Sequence, residues 1–149
     1  MRILLDANVF MYVSGSEHAY KEPCIAVLDA AAIHTETFFT DAEVFQEILH
    51  RFKALRRWPQ SAGAFAEYFT LMAGRIEPMH GADVERAATM ADWYPRLSAR
   101  DLVHVAVMQR VGAAHIVTAD TAFDGIDGVE RLDPALVEEW RGLVVTARG

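Results

Sequence analysis

The stretch Arg2-Ile3-Leu4-Leu5-Asp6-Ala7-Asn8-Val9 decides the reading of this chain. A short apolar run ending on an acid reads as a buried strand over residues 2–6, with Asp6 at its carboxyl end. A helical region follows to about Ala32, broken near Gly15 and restarting around Pro23, a residue suited to a first helical turn. The same alternation continues along the chain. Thr37 to Thr40 favour a strand, and residues 41–57 place Val44, Phe45, Ile48, Leu49, Phe52 and Leu55 at helical spacing. Pro59 breaks that helix and another runs from about Gln60 to Ala73. A short strand is expected around Ile76, then a helix from about Ala82 to Trp93, ended by Pro95. Ser98 opens a helix closed by Gly112; His115 to Thr118 and Val129 to Leu132 read as strands, and a final helix follows Asp133-Pro134. Strands alternating with helices predict an α/β fold, three-layered, with a central parallel sheet covered on both faces. The chain shows no repeat, low-complexity stretch or long linker, so residues 1–149 are expected to form a single domain.

Composition narrows the function classes. Over 149 residues, 52% are hydrophobic, which suits one sizeable core, and no apolar run reaches the roughly 18 residues of a membrane span. Structure is expected to begin at the initiator Met, with no room for a signal peptide, and the single Cys24 sits among apolar neighbours. A cytoplasmic protein with an unreactive buried thiol is expected. The net charge of −7 argues against a nucleic-acid binder that works through a broad basic surface. It leaves open a nuclease whose acids hold metal ions.

The acids therefore carry the argument, each against a structural alternative. Asp6 either serves a site at the strand's end or caps the helix beginning near Asn8. Thr40-Asp41-Ala42-Glu43 has the form of a capping box, with Thr40 as N-cap, and this accounts for Glu43. Glu47 lies one turn deeper among core-facing residues, where two carboxylates at i and i+4 repel unless a cation lies nearby; the alternative is an exposed pair with Arg51. Asp101 sits at the third position of the Ser98 helix. It closes a capping box there, or it supplies charge at the entrance of Leu102 to Met108, a run apolar nearly all round. His104, one turn on, reads as a satisfied semi-buried histidine rather than a ligand. Asp120 follows the strand Ile116-Val117-Thr118 and either joins a site or caps the turn Thr121 to Asp124. In a parallel sheet these places share one edge, where ligands bind and where the strand order reverses. Four carboxylates gathered there require cations, and Mg²⁺ or Mn²⁺ suits an all-oxygen site. The histidines show no paired zinc spacing, and there is no GxGxxG, Walker or GxSxG pattern.

Leu4-Leu5-Asp6-Ala7-Asn8-Val9, Gln46-Glu47-Ile48-Leu49, Ser98-Ala99-Arg100-Asp101 and Val117-Thr118-Ala119-Asp120-Thr121-Ala122-Phe123-Asp124 come in an order that resembles the PIN-domain family, and within it the VapC-type toxins of bacterial toxin–antitoxin modules. The resemblance covers essentially the whole chain. It implies a parallel-sheet α/β/α fold and Mg²⁺- or Mn²⁺-dependent endoribonuclease activity, with Asp6, Glu47, Asp101 and Asp120 as the acidic quartet. Asp124 matches a frequent extra acid, and Asn8 and Thr118 match polar residues that orient the site. One or two metals on the quartet would activate a water for in-line attack, leaving a 5′-phosphate and a 3′-hydroxyl. Asp6 and Asp101 are expected to bind metal directly, with Asp120 or Glu47 acting partly through water.

The implied partners are the RNA substrate, a cognate antitoxin and a second copy of the chain in a homodimer, with no membrane. Arg51, Lys53, Arg56 and Arg57, beside Trp58, form the densest basic stretch, which either contacts RNA phosphates or is a solvated helix end. Alternatives are a non-toxin PIN nuclease in RNA processing and a non-catalytic interaction domain whose acids only cap helices. A haloacid-dehalogenase-type phosphatase fits poorly, since it wants a second Asp where Asn8 stands.

Overall fold

The computed structural model describes residues 1–146. Residues 147–149 of the expected domain lie outside the described part. Among the described residues five strands, β1 (Ile3–Leu5), β2 (Phe38–Asp41), β3 (Ile76–Glu77), β4 (His115–Val117) and β5 (Glu130–Leu132), pair in parallel in the order β3-β2-β1-β4-β5. The α-helices that connect and follow them are α1 (Ala7–Ser14), α2 (Lys21–Ile33), α3 (Ala42–Ala54), α4 (Trp58–Leu71), α5 (Gly81–Met90), α6 (Ala99–Val111) and α7 (Val137–Thr146).

The central strands are buried on both faces because consecutive residues enter different cores. Ile3 and Leu5 join Phe38, Val117 and Leu132 in a cluster with residues of α1 to α4 and α7. Leu4 joins Phe39 and Ile116 in a second cluster with residues of α5 and α6. The result is the expected three-layer α/β/α arrangement. Cys24 is fully buried in the first cluster, and burial pushes its thiol up to about 12, in keeping with an unreactive role. Among the described residues, no helix is long and apolar enough to cross a membrane.

Several boundaries move for physical reasons. Pro59 begins rather than breaks a helix: α4 starts at Trp58 with the proline in its first turn, where no intrahelical N–H is lost. The helix after β2 is capped by Asp41, not Thr40. Asp41 accepts the Val44 amide at 2.8 Å, while the Thr40 hydroxyl donates to the Leu5 carbonyl of the neighbouring strand. The expected Thr40–Glu43 capping box is therefore absent, and Glu43 instead lies 3.5 Å from the Arg100 guanidinium. The capping box at Ser98 and Asp101 is present, and Gly112 ends α6 with φ 73°, a conformation that favours glycine.

Candidate functional site

A parallel sheet puts every strand's carboxyl end and the following helix's amino end on one edge. Here β1 is the switch point: the chain runs from β1 to β2 on one side and later returns to β4 on the other. The residues just past β1 and β4 thus meet in the crevice. Asp6 is the N-cap of α1 and is almost wholly buried. One carboxylate oxygen accepts the Ala7 amide at 2.7 Å, and the other accepts the Thr118 hydroxyl at 2.8 Å and the Asn8 side-chain amide at 3.2 Å. Asn8 also donates to Thr118 Oγ1 at 2.8 Å and accepts the Ala119 amide at 3.2 Å. Thr118 accepts the Asp120 amide at 3.1 Å. This network locks the ends of β1 and β4 together around one carboxylate.

Glu47 enters from α3, and its carboxylate comes within 4.8 Å of ligand atoms of Asp6 and His104. Burial raises the Glu47 carboxyl, and the charge of Asp6 raises it further; His104 and Arg51, the latter one turn along α3, pull it down. The expected alternative of an Arg51 pair is thus present only as a longer-range attraction. Asp6 is likewise raised by burial, against the lowering effect of His104, Thr118 and the Ala7 amide, while Asp101 adds to the rise. Both acids sit where negative charge is under-compensated.

Asp101 keeps its capping duty, one oxygen accepting the Ser98 amide at 3.1 Å, yet its charge is felt at Asp6, Glu47 and His104. The Asp120 carboxylate is exposed and accepts the Ala122 amide at 2.9 Å, capping the short turn Thr121–Phe123. Asp124 is turned to Arg131 at 2.7 Å, which holds its carboxyl below the usual range. The structure therefore gathers Asp6 and Glu47 tightly, sets Asp101 within electrostatic reach, and links Asp120 to the cluster through its backbone. Lys53, Arg56 and Arg57 lie exposed at or beyond the far end of α3, away from the helix start that faces the site.

His104 is the residue that sequence reasoning undervalues. It is fully buried, and its Nδ1 lies 2.7 Å from Asp41 Oδ2; since the carboxylate only accepts, Nδ1 donates. Its Nε2 has no hydrogen-bond partner among the described residues and lies 3.8 Å from Asp6 Oδ1. Burial disfavours the imidazolium, but Asp41, Asp6 and Asp101 together outweigh it and carry the pKa up to about 9. The signal available in the sequence is the spacing of Asp101 and His104, one turn apart on a helix buried nearly all round.

Thr118 offers a direct check on the network. Thr118→Val keeps the shape but strips one donor from Asp6 and leaves the Asn8 amide and the Asp120 N–H without their acceptor. Stability should fall by about 1–3 kcal/mol in urea denaturation; an unchanged midpoint and slope would contradict the network.

Comparison with known proteins agrees with this geometry. The family model for the PIN domain matches residues 3–129. A VapC ribonuclease of Mycobacterium bovis is 36% identical over 130 residues, covering 87% of this chain and 98% of its own length. Among solved structures, FitAB bound to a DNA fragment superposes with a TM-score of 0.72 at 20% identity, covering 89% of this chain and 95% of its own. A toxin–antitoxin complex from Klebsiella pneumoniae superposes with a TM-score of 0.61 at 18% identity, over 89% of this chain and 97% of its own. With the family match spanning both switch-point strands and every acid of the cluster, the chain belongs to the PIN-domain family.

Proposed function

We propose that the chain is a divalent-metal-dependent endoribonuclease, acting as the toxin of a type II toxin–antitoxin module, with residues 1–149 as one PIN-like nuclease unit. The observation that carries the reading is the meeting of the Asp6 and Glu47 carboxylates at the sheet's switch point, both with pKa values raised by burial and by neighbouring carboxylates. The ribonuclease name of the Mycobacterium relative and the toxin–antitoxin description of the Klebsiella structure support the same class.

The residues present fit a hard divalent cation: two carboxylates withdrawn from solvent repel each other, and a third acid stands within electrostatic reach. Asp6 and Glu47, with Asp101 alongside, would hold Mg²⁺ or Mn²⁺, which when bound supplies Lewis-acid activation of water and of the phosphodiester. The chain's own part is orientation. Thr118, Asn8 and the Ala7 amide fix both oxygens of Asp6, so its carboxylate does not reorganise during the reaction. Asp120, exposed and tied to the cluster through its backbone N–H on Thr118, would act through water, and Asp124 is held by Arg131. Arg51, whose charge is felt at Glu47, would meet an approaching phosphate, and Lys53, Arg56 and Arg57 would extend that contact along the helix end.

The test is to map RNA ends after incubation with purified protein and Mg²⁺ or Mn²⁺; 5′-phosphate and 3′-hydroxyl ends are expected, and no cleavage with either ion would overturn the reading. Co-expression with the product of an adjacent small gene should yield a complex in which cleavage is suppressed. A homodimer and a cytoplasmic location complete the proposal, the first checked by sedimentation.

A thermal measurement separates cation binding from catalysis. Saturating Mn²⁺ should raise the Tm of the wild type by about 5–10 °C, reversed by chelation. Glu47→Gln removes one of two repelling charges, so the metal-free variant should melt about 2 °C higher than the wild type and gain little from Mn²⁺. A lower metal-free Tm would show that the carboxylates do not repel.

A further inference from the structure

His104 spends burial on an arrangement that leaves one ring nitrogen unanswered. Its Nδ1 is held by Asp41, which is itself fully buried and fixed as the N-cap of α3. That hydrogen bond sets the ring plane and, in the neutral ring, leaves a lone pair on Nε2. Nε2 has no partner among the described residues and lies 3.8 Å from Asp6 Oδ1, beyond hydrogen-bond range. A cation with ligand bonds of about 2.1 Å reaches two atoms up to about 4.2 Å apart, so this separation suits shared ligation. Glu47 brings a carboxylate oxygen within 4.8 Å of a ligand atom of each of these two residues. A carboxylate that orients a histidine through Nδ1 so that Nε2 faces a metal is a recurrent arrangement in metal sites.

We propose that His104 Nε2 is a nitrogen ligand of the cation held by Asp6 and Glu47, oriented by Asp41, and that this mixed donor set favours Mn²⁺ over Mg²⁺. The inference rests on the reading of Asp6 and Glu47 as cation-binding carboxylates. Its chemistry follows from ligand type: Mg²⁺ prefers oxygen donors, whereas imidazole shifts a site toward transition ions.

Pulsed electron paramagnetic resonance of the Mn²⁺-loaded full chain reads a directly bound imidazole as ¹⁴N coupling. The wild type should show that coupling, and Asp6→Asn should lose it together with the bound Mn²⁺, which locates the nitrogen at this site. His104→Gln should bind Mn²⁺ at least ~10-fold more weakly and without ¹⁴N coupling, while its discrimination against Mg²⁺ in competition titrations narrows. Should His104→Gln not fold, the wild-type and Asp6→Asn spectra decide alone. Asp6-dependent Mn²⁺ binding without ¹⁴N coupling overturns the inference and leaves the metal-nuclease reading standing. Absence of any Asp6-dependent Mn²⁺ binding overturns both.

Discussion

Asp6→Asn is expected to lower RNA cleavage by about three orders of magnitude or more, roughly 4 kcal/mol of barrier, with the fold intact. The substitution is nearly isosteric, so its effects come through charge and hydrogen bonding. The introduced amide can still accept the Ala7 N–H through its oxygen. Its NH₂ group faces the Thr118 hydroxyl, whose two lone pairs already accept from the Asn8 amide and the Asp120 N–H, so the contacts from Thr118 and from the Asn8 amide are both lost. The metal-free protein also sheds a buried negative charge that repels Glu47 and Asp101. These changes oppose each other, and the stability of the metal-free variant should stay within about 1 kcal/mol of wild type. Cleavage has no such compensation, because an amide is a poor ligand for a divalent cation and cannot offset its charge. Steady-state cleavage of a defined RNA, beside a denaturation curve for each protein, separates the two effects. Cleavage retained within tenfold of wild type would remove Asp6 from the catalytic centre.

The architecture is legible in the sequence because its signals are local. Strands such as Ile3-Leu4-Leu5 are apolar throughout, helices carry period and caps, and both types alternate along the chain. Asp6, Glu47 and Asp101 are legible as candidates because each sits at a place the sheet topology brings to one edge. The misreadings are of a different kind. Thr40 and Asp41 are both good N-caps, and nothing local distinguishes them; a tertiary bond from Thr40 to the Leu5 carbonyl, and from His104 to Asp41, decides the choice. Glu43 finds Arg100, on a helix much further along the chain, a pairing no short window can contain. His104 needs the same long-range knowledge, since its partner Asp41 lies at the end of β2. Sequence periodicity reports which face of an element is buried. It does not report which buried polar group answers which.

The Asp41–His104 pair is where the largest loss of stability is expected. Both side chains are fully buried, and Asp41 accepts from two donors, the Val44 amide and His104 Nδ1. Asp41→Ala removes a helix cap, about 1 kcal/mol, and leaves a buried imidazole without its counter-charge; breaking such a pair by one partner costs roughly 3–5 kcal/mol. At about 2–4 °C per kcal/mol for a chain of this size, the Tm should fall by at least ~6 °C. Asp41→Asn can cap or pair but not both with full charge, and should fall between Asp41→Ala and wild type. The pH dependence gives the pair its own signature. Burial opposes the His104 imidazolium, but the surrounding carboxylates raise its pKa to about 9, against roughly 6.5 in an unfolded chain. A raised pKa means that the folded state binds the proton more tightly. The stabilisation is therefore complete below about pH 6.5 and disappears as pH rises through about 9. In chelator, wild type should lose stability across that alkaline window while Asp41→Ala, already lacking the main counter-charge, varies less. Equal slopes for the two proteins between about pH 6.5 and 9 would mean that His104 is neutral in the metal-free fold, and that Asp41 stabilises α3 alone.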